Sequence, residues 1–165
     1  MNMIRFVQAL LILASAMLAL SASPGFADDA TPQNFLKRIY QPYQKSDKAL
    51  DIGSEAKASR YFTPELARLI GQDISEAAKR NEVGRLDFDP FIGGQDWAPR
   101  KIELKVNPGS TPDLASGMAS FTPLGEKQRT VVTLDLVKTP AGWRISDIHW
   151  EGQSDTLVKI LTAKE

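Results

Sequence analysis

The chain has 165 residues, 42% of them hydrophobic, with 20 Lys and Arg against 20 Asp and Glu, a single His and no Cys. A balanced charge without basic blocks argues against nucleic acid or an anionic membrane as partner. The absence of Cys excludes disulfides and thiol chemistry, and a lone His without Cys argues against a zinc site, so no metal and no cofactor is expected.

Residues 1–27 read as a secretory signal peptide. Arg5 supplies a positive n-region, residues 6–20 are apolar apart from Gln8 and Ser15, and Gly25-Phe26-Ala27 provides small residues before a cut after Ala27. The apolar run is shorter than the roughly 20 residues that a membrane span needs. With no Cys near the cut, a lipoprotein is excluded. Cleavage would leave 138 residues with 19 basic and 20 acidic side chains, the size of one domain, residues 28–165. An exported chain without Cys points to the periplasm, with no membrane attachment after cleavage.

In the mature part, Thr31-Pro32 opens a helix whose apolar face is Phe35, Leu36, Ile39, Tyr40 and Tyr43, with a kink or early stop expected near Gln41 because Pro42 follows. Ser46-Asp47 can cap a short segment, residues 48–51. A helical turn or two over residues 55–61 leads to a second Thr-Pro start at Thr63-Pro64. The helix from there to about Arg80 is expected to bury Leu66, Leu69, Ile70, Ile74, Ala77 and Ala78, with Gly71 permitting close packing. Residues 81–84 end it.

Beyond residue 100 the period changes from 3.6 to 2. Ile102, Leu104 and Val106 alternate with Lys101, Glu103 and Lys105. A polar loop to Gly117, a short strand over 118–122 and a strong strand over 130–138 follow, the last with Val132, Leu134 and Leu136 inward. A turn at Thr139-Pro-Ala-Gly142 leads back into a strand over 143–150, and an amphipathic segment over 155–163 closes the chain. Helices followed by a run of antiparallel strands is the α+β pattern, with helices on one face of a sheet.

Between the two halves lies a segment that fits neither period, residues 86–97. It carries Asp87, Asp89 and Asp96 among Phe88, Phe91 and Trp97, with Pro90 and Gly93-Gly94 excluding a helix interior. This composition predicts a structured loop docked by its aromatics, with its carboxylates held in fixed positions.

Several stretches carry a resemblance. Phe35 with Tyr40-Gln-Pro-Tyr43 and Asp47-Lys-Ala-Leu50 resembles the first helices of the nuclear transport factor two-like (cystatin-like cone) superfamily, and Gly142-Trp-Arg-Ile-Ser-Asp-Ile-His-Trp150 resembles a last strand common there. Tyr61-Phe-Thr-Pro-Glu-Leu66, with Leu86-Asp-Phe-Asp-Pro-Phe91 and Gln95-Asp-Trp97, looks like a bacterial branch of it, the domain of unknown function 3828 family. The resemblance covers residues 31–161 and implies a cone of helices against a curved antiparallel sheet, with a pocket between them. It implies no activity, because the superfamily hosts enzymes, binders and dimerisation modules.

The candidate pocket or interface residues are Asp87, Asp89, Phe91, Asp96 and Trp97 on the loop, Tyr40 and Tyr61 beside it, and Asp147 and His149 on the last strand. Strict alternation would put Asp147 and His149 on the face of Trp143 and Ile145, at the pocket mouth, with Asp147 holding the imidazole. The three loop aspartates could gather a hard cation, but their spacing is not that of an EF-hand, and the preferred reading is that they cap turns and accept backbone N–H groups. Residues 91–94 would make a protein contact if exposed.

Ketosteroid isomerases, which resemble this fold class, combine an Asp base with Tyr and protonated Asp donors. Tyr40, Tyr43 and Tyr61 are available for such a role, but no motif ties one to an Asp. The expected function is therefore non-catalytic binding of a small ligand or a periplasmic protein, in an inhibitor or immunity role for example. The alternative is a cofactor-independent isomerase, lyase or hydrolase using Asp87 or Asp96 with His149. A homodimer through the outer sheet face is a further possibility, against which the polar side of residues 101–105 speaks.

Overall fold

A computed structural model of the protein describes residues 30–45, 49–95, 101–123 and 125–163. The expected signal peptide, Asp47, Asp96 and Trp97 lie outside the described residues. The elements run α1 (Pro32–Lys45), α2 (Glu55–Ala58), α3 (Pro64–Arg80), β1 (Glu103–Pro108), β2 (Leu114–Phe121), β3 (Thr130–Thr139), β4 (Gly142–Trp150) and α4 (Leu157–Thr162). The α+β expectation holds. The four strands form one antiparallel sheet in the order β1-β2-β3-β4, and its inner face meets the helices in a shared hydrophobic core.

Local chemistry explains the helix ends. The Thr31 hydroxyl accepts the Asn34 amide at 3.1 Å, and the Thr63 hydroxyl accepts the Leu66 amide at 3.4 Å. Asn81 ends α3 in the left-handed region at φ 53°, its amide reaching the Ala77 and Ala78 carbonyls. α1 does not stop at Gln41 but continues through Pro42 to Lys45. Pro42 falls in the last turn, and Tyr43 just beyond it is buried, so packing of the apolar face carries the helix past the missing N–H. Residues 49–51 are irregular rather than helical.

The buried stripe of α3 is rotated from the expected one. Leu66, Ala67, Ile70, Asp73 and Ala77 are buried, while Ile74 is 37% exposed and Ala78 faces solvent. A carboxylate occupies the inner stripe because Asp73 accepts the Arg85 amide at 2.9 Å and the Leu86 amide at 3.1 Å, with the Arg85 guanidinium 3.6 Å away. Gly71 lies against α2 as expected: a Cβ there would stand 2.7 Å from the Glu55 Cβ.

β2 is longer than expected, beginning at Leu114. Its small residues Ala115, Gly117 and Ala119 pair with Leu136, Leu134 and Val132, so they leave little polarity or bulk to mark a strand yet let α1 settle onto the sheet. A Cβ on Gly117 would stand 3.0 Å from the Leu36 Cδ1. Leu104 and Val106 share this inner face, while Glu103 and Lys105 point outward, as their alternation predicts.

One irregularity decides where the chemistry-bearing residues point. Asp135 pairs with Asp147 and the next residue, Leu136, pairs with Ile145, so Ser146 is an extra residue on β4. The bulge changes the phase of the strand. Trp143 and Ile145 face the core before it, and Ile148 and Trp150 face the core after it. Asp147 and His149 therefore lie on the outer face, opposite to the expected placement.

The outward edge of β4 is covered. The Ile145 amide donates to the Tyr61 carbonyl at 2.8 Å, and the Thr63 amide donates to the Ile145 carbonyl at 2.9 Å. Asp147 Oδ1 accepts the Val158 amide at 3.0 Å, tying α4 to the same edge. Among the described residues, no helix is long and apolar enough to cross a membrane.

Candidate functional site

The described part of the central loop, residues 86–95, is docked as its aromatics predict, and more deeply. Phe91 and Ile92 are buried, so residues 91–94 are not an exposed contact tip. Phe91 stacks on Phe62 at 5.6 Å between centroids and meets the edge of Tyr61 at 6.0 Å. Phe88 packs edge-on against Trp150 at 5.1 Å. Gly93 has φ 66°, and a Cβ on it would stand 2.8 Å from the Trp150 ring, so both backbone conformation and space require glycine there.

Polar bonds complete the docking. The Tyr40 hydroxyl donates to the Phe91 carbonyl at 3.0 Å, and the Trp150 indole N–H donates to the Pro90 carbonyl at 3.0 Å. The Tyr43 hydroxyl donates to Asp89 Oδ2 at 2.6 Å and accepts the Leu50 amide at 3.2 Å. Asp89 Oδ1 accepts the Phe91 amide at 2.9 Å, and the Asp89 amide and carbonyl bond Gly94 and Gly93 across the turn. A short Asp–Tyr pair thus exists, though no motif announced it.

Burial pushes the Asp89 carboxyl upward, against the lowering effect of its bonds from Tyr43 and the Phe91 amide. Burial, and then the charge of Asp89, raises both Tyr40 and Tyr43 far above the ordinary phenol range, so both remain neutral donors. Every polar atom of this pair is engaged by the protein itself. Asp89 therefore acts as a turn cap, and Tyr40 as a buried strut.

The remaining candidates separate. Asp87 is exposed on the loop, its carbonyl accepting Gln95 Nε2 at 2.9 Å. Tyr61 is partly buried and contributes its ring to Phe91 and its carbonyl to β4. Asp147 caps the Ile148 and Val158 amides at 2.8 and 3.0 Å and does not hold the imidazole. His149 Nε2 instead lies 2.8 Å from Asp135 Oδ2, both half exposed on the outer sheet face. The loop and the last strand do meet, but through Trp150 on the inner face, with His149 turned away. Among the described residues, no three His, Asp or Glu side chains are placed to hold a metal ion.

An open groove lies elsewhere. It has a volume of about 530 Å³ and runs between α1 and the start of β1. Its wall is Gln33, Asn34, Lys37, Arg38, Gln41 and Gln44, and its floor is Ile102 and Leu104. The spacing 33, 37, 41, 44 is a helical stripe flanking the buried face of α1, so packing of Phe35, Ile39 and Tyr43 on the sheet aims this polar flank over β1. The Arg38 guanidinium lies 5.2 Å from the Phe35 ring centroid and 5.3 Å from that of Tyr61, and it reaches the Arg60 carbonyl. Gln44 Nε2 donates to the Ile102 carbonyl at 3.4 Å and closes one end. In the sequence these residues read as an ordinary solvated helix face. The signal that could have found them is the run of amides with two cations and no acid on one flank.

The chain matches no family model, no curated protein and no solved structure.

Proposed function

We propose that this is an exported, periplasmic protein of one domain, released by cleavage after Ala27, that binds a ligand or protein partner without transforming it. In this reading it is a nuclear transport factor two-like cone of the domain of unknown function 3828 family, on the strength of the residues quoted for that resemblance. The observation that carries the binding reading is the contrast between the two polar sites. Asp89 and Tyr43 spend their hydrogen-bonding capacity on the loop they hold. The α1–β1 groove, by contrast, presents amides and cations around an open volume.

The short Tyr43–Asp89 bond is the one observation that favours a cofactor-independent enzyme instead. Such an enzyme would have to break the bond to Leu50 or Phe91 before either group could meet a substrate.

Native mass spectrometry of the mature protein, purified from its own periplasm, tests the proposal. A mass excess that denaturation removes, and that a Gln41→Trp variant filling the groove abolishes, is the expected result. A bare mass, or an excess indifferent to Gln41→Trp, would overturn it.

A further inference from the structure

We infer that the α1–β1 groove takes an extended acidic peptide segment of about five residues, an inference that rests on the groove being the binding site. Length comes first. From Gln33 to Gln44 the wall spans about 16 Å at the helical rise. An extended chain at 3.3–3.4 Å per residue places about five residues along it. Four of the wall residues are amides, each offering donors and an acceptor, which suits successive peptide units. Ile102 and Leu104 provide an apolar floor for alternate side chains.

Charge selects the class of peptide. Lys37 and Arg38 line the groove, and among the described residues no carboxylate lines it. Lys45 and Lys101 are exposed beside the end that Gln44 closes on Ile102. The nearest acid on the strand, Glu103, points to the other face of the sheet, where Arg129 pairs with it at 2.9 Å. Arg38, laid over two rings, is preorganised, so ordering it costs a ligand little. The rings of Phe35 and Tyr61 lie beneath that guanidinium and are not presented to the groove. Among the described residues a sugar polymer would therefore find no aromatic platform, which favours peptide over glycan.

The test is an amide-shift titration of the isotope-labelled mature protein with hexaglutamate, hexaglutamine and hexalysine, alongside whatever ligand copurifies. The expected result is that hexaglutamate moves amides along α1 and β1, and that the effect weakens as salt rises. Lys37→Glu should reduce the affinity roughly fivefold to tenfold, while Lys79→Glu on the far helix leaves it unchanged. Equal shifts with hexaglutamine would overturn the acidic class while leaving the groove as a peptide site. No shift with any peptide, but groove shifts with the copurified ligand, would overturn the peptide and keep the binding site. Shifts from that ligand away from α1 and β1 would overturn both. Lys37→Gln repeats the test should the charge reversal disturb the fold.

Discussion

At the scale of single residues, Asp89 joins two parts of the fold. It closes a turn with one oxygen and anchors α1 through Tyr43 with the other. Removing the Tyr43 hydroxyl as Tyr43→Phe leaves that carboxylate oxygen and the Leu50 amide without their partner, and should cost about 1–3 kcal/mol in urea denaturation. The pH dependence has a definite sign. Burial raises the Asp89 carboxyl in the folded protein. The folded state therefore holds its proton more tightly than the unfolded chain, whose Asp titrates at about 3.9. Its contribution is complete below that unfolded value and is lost as pH rises through the folded one, at about 1.4 kcal/mol for each unit of separation. Denaturation midpoints of the wild type and Asp89→Asn, compared from pH 3 upward, should show a wild-type advantage that shrinks as pH rises. An advantage that grows would mean that the bonds from Tyr43 and Phe91 outweigh desolvation.

At the scale of elements, close approach and phase matter more than propensity. Gly71→Ala should gain roughly 1 kcal/mol of helix propensity yet lose stability overall. The new methyl meets Glu55, and overpacking typically costs 1–3 kcal/mol. A rise in melting temperature would show that α2 simply moves aside. The bulge in β4 makes a sharper prediction. Ser146→Ala forfeits one bond of 3.2 Å to the Asp135 carbonyl and should cost about 1 kcal/mol. Deleting Ser146 would remove the extra residue and leave Trp143, Ile145, Ile148 and Trp150 in strict inward alternation, in unbroken register with β3. The deletion should therefore cost little more than the substitution in urea denaturation, and a loss several times larger would show that the local bend of the bulge is needed to seat β4. The same bulge marks where the sequence stopped being legible. Thr-Pro starts, the alternation of β1 and the inward set of β3 are local patterns, and each could be read directly. No Gly or Pro stands beside Ser146 to announce an extra residue, so strict alternation puts His149 on the wrong face. Asp73 reads as a solvated helix residue until the Arg85 and Leu86 amides come back to it from the following turn. The groove was hidden for a related reason: a polar helix flank becomes a wall only once β1 lies beside it.

At the scale of the whole molecule, the two edges of the sheet differ, and amide exchange should report the difference. Among the described residues, a four-stranded meander leaves β1 and β4 each paired with a named strand on one side only. An exposed strand edge invites pairing with other chains, and proteins commonly cover or charge it. The β4 edge is covered from within, since the Ile145 amide, directed away from β3, is taken by the Tyr61 carbonyl and α4 is pinned alongside by Asp147. The β1 edge is guarded by side chains, with Glu103 and Lys105 exposed and Pro108 at its end removing a donor. Protection against exchange follows local opening, so an amide fastened to the helical layer should open only when that layer separates from the sheet. Ile145 N–H is then expected to exchange as slowly as the interior amides of β3, although its strand lies at the edge of the sheet. The amides of β1 that point away from β2 should exchange within the fastest group of strand amides. Fast exchange at Ile145 would mean that residues 61–63 dock only loosely on β4. Phe62 would then leave its stack with Phe91, and the central loop would lose the partner that seats it.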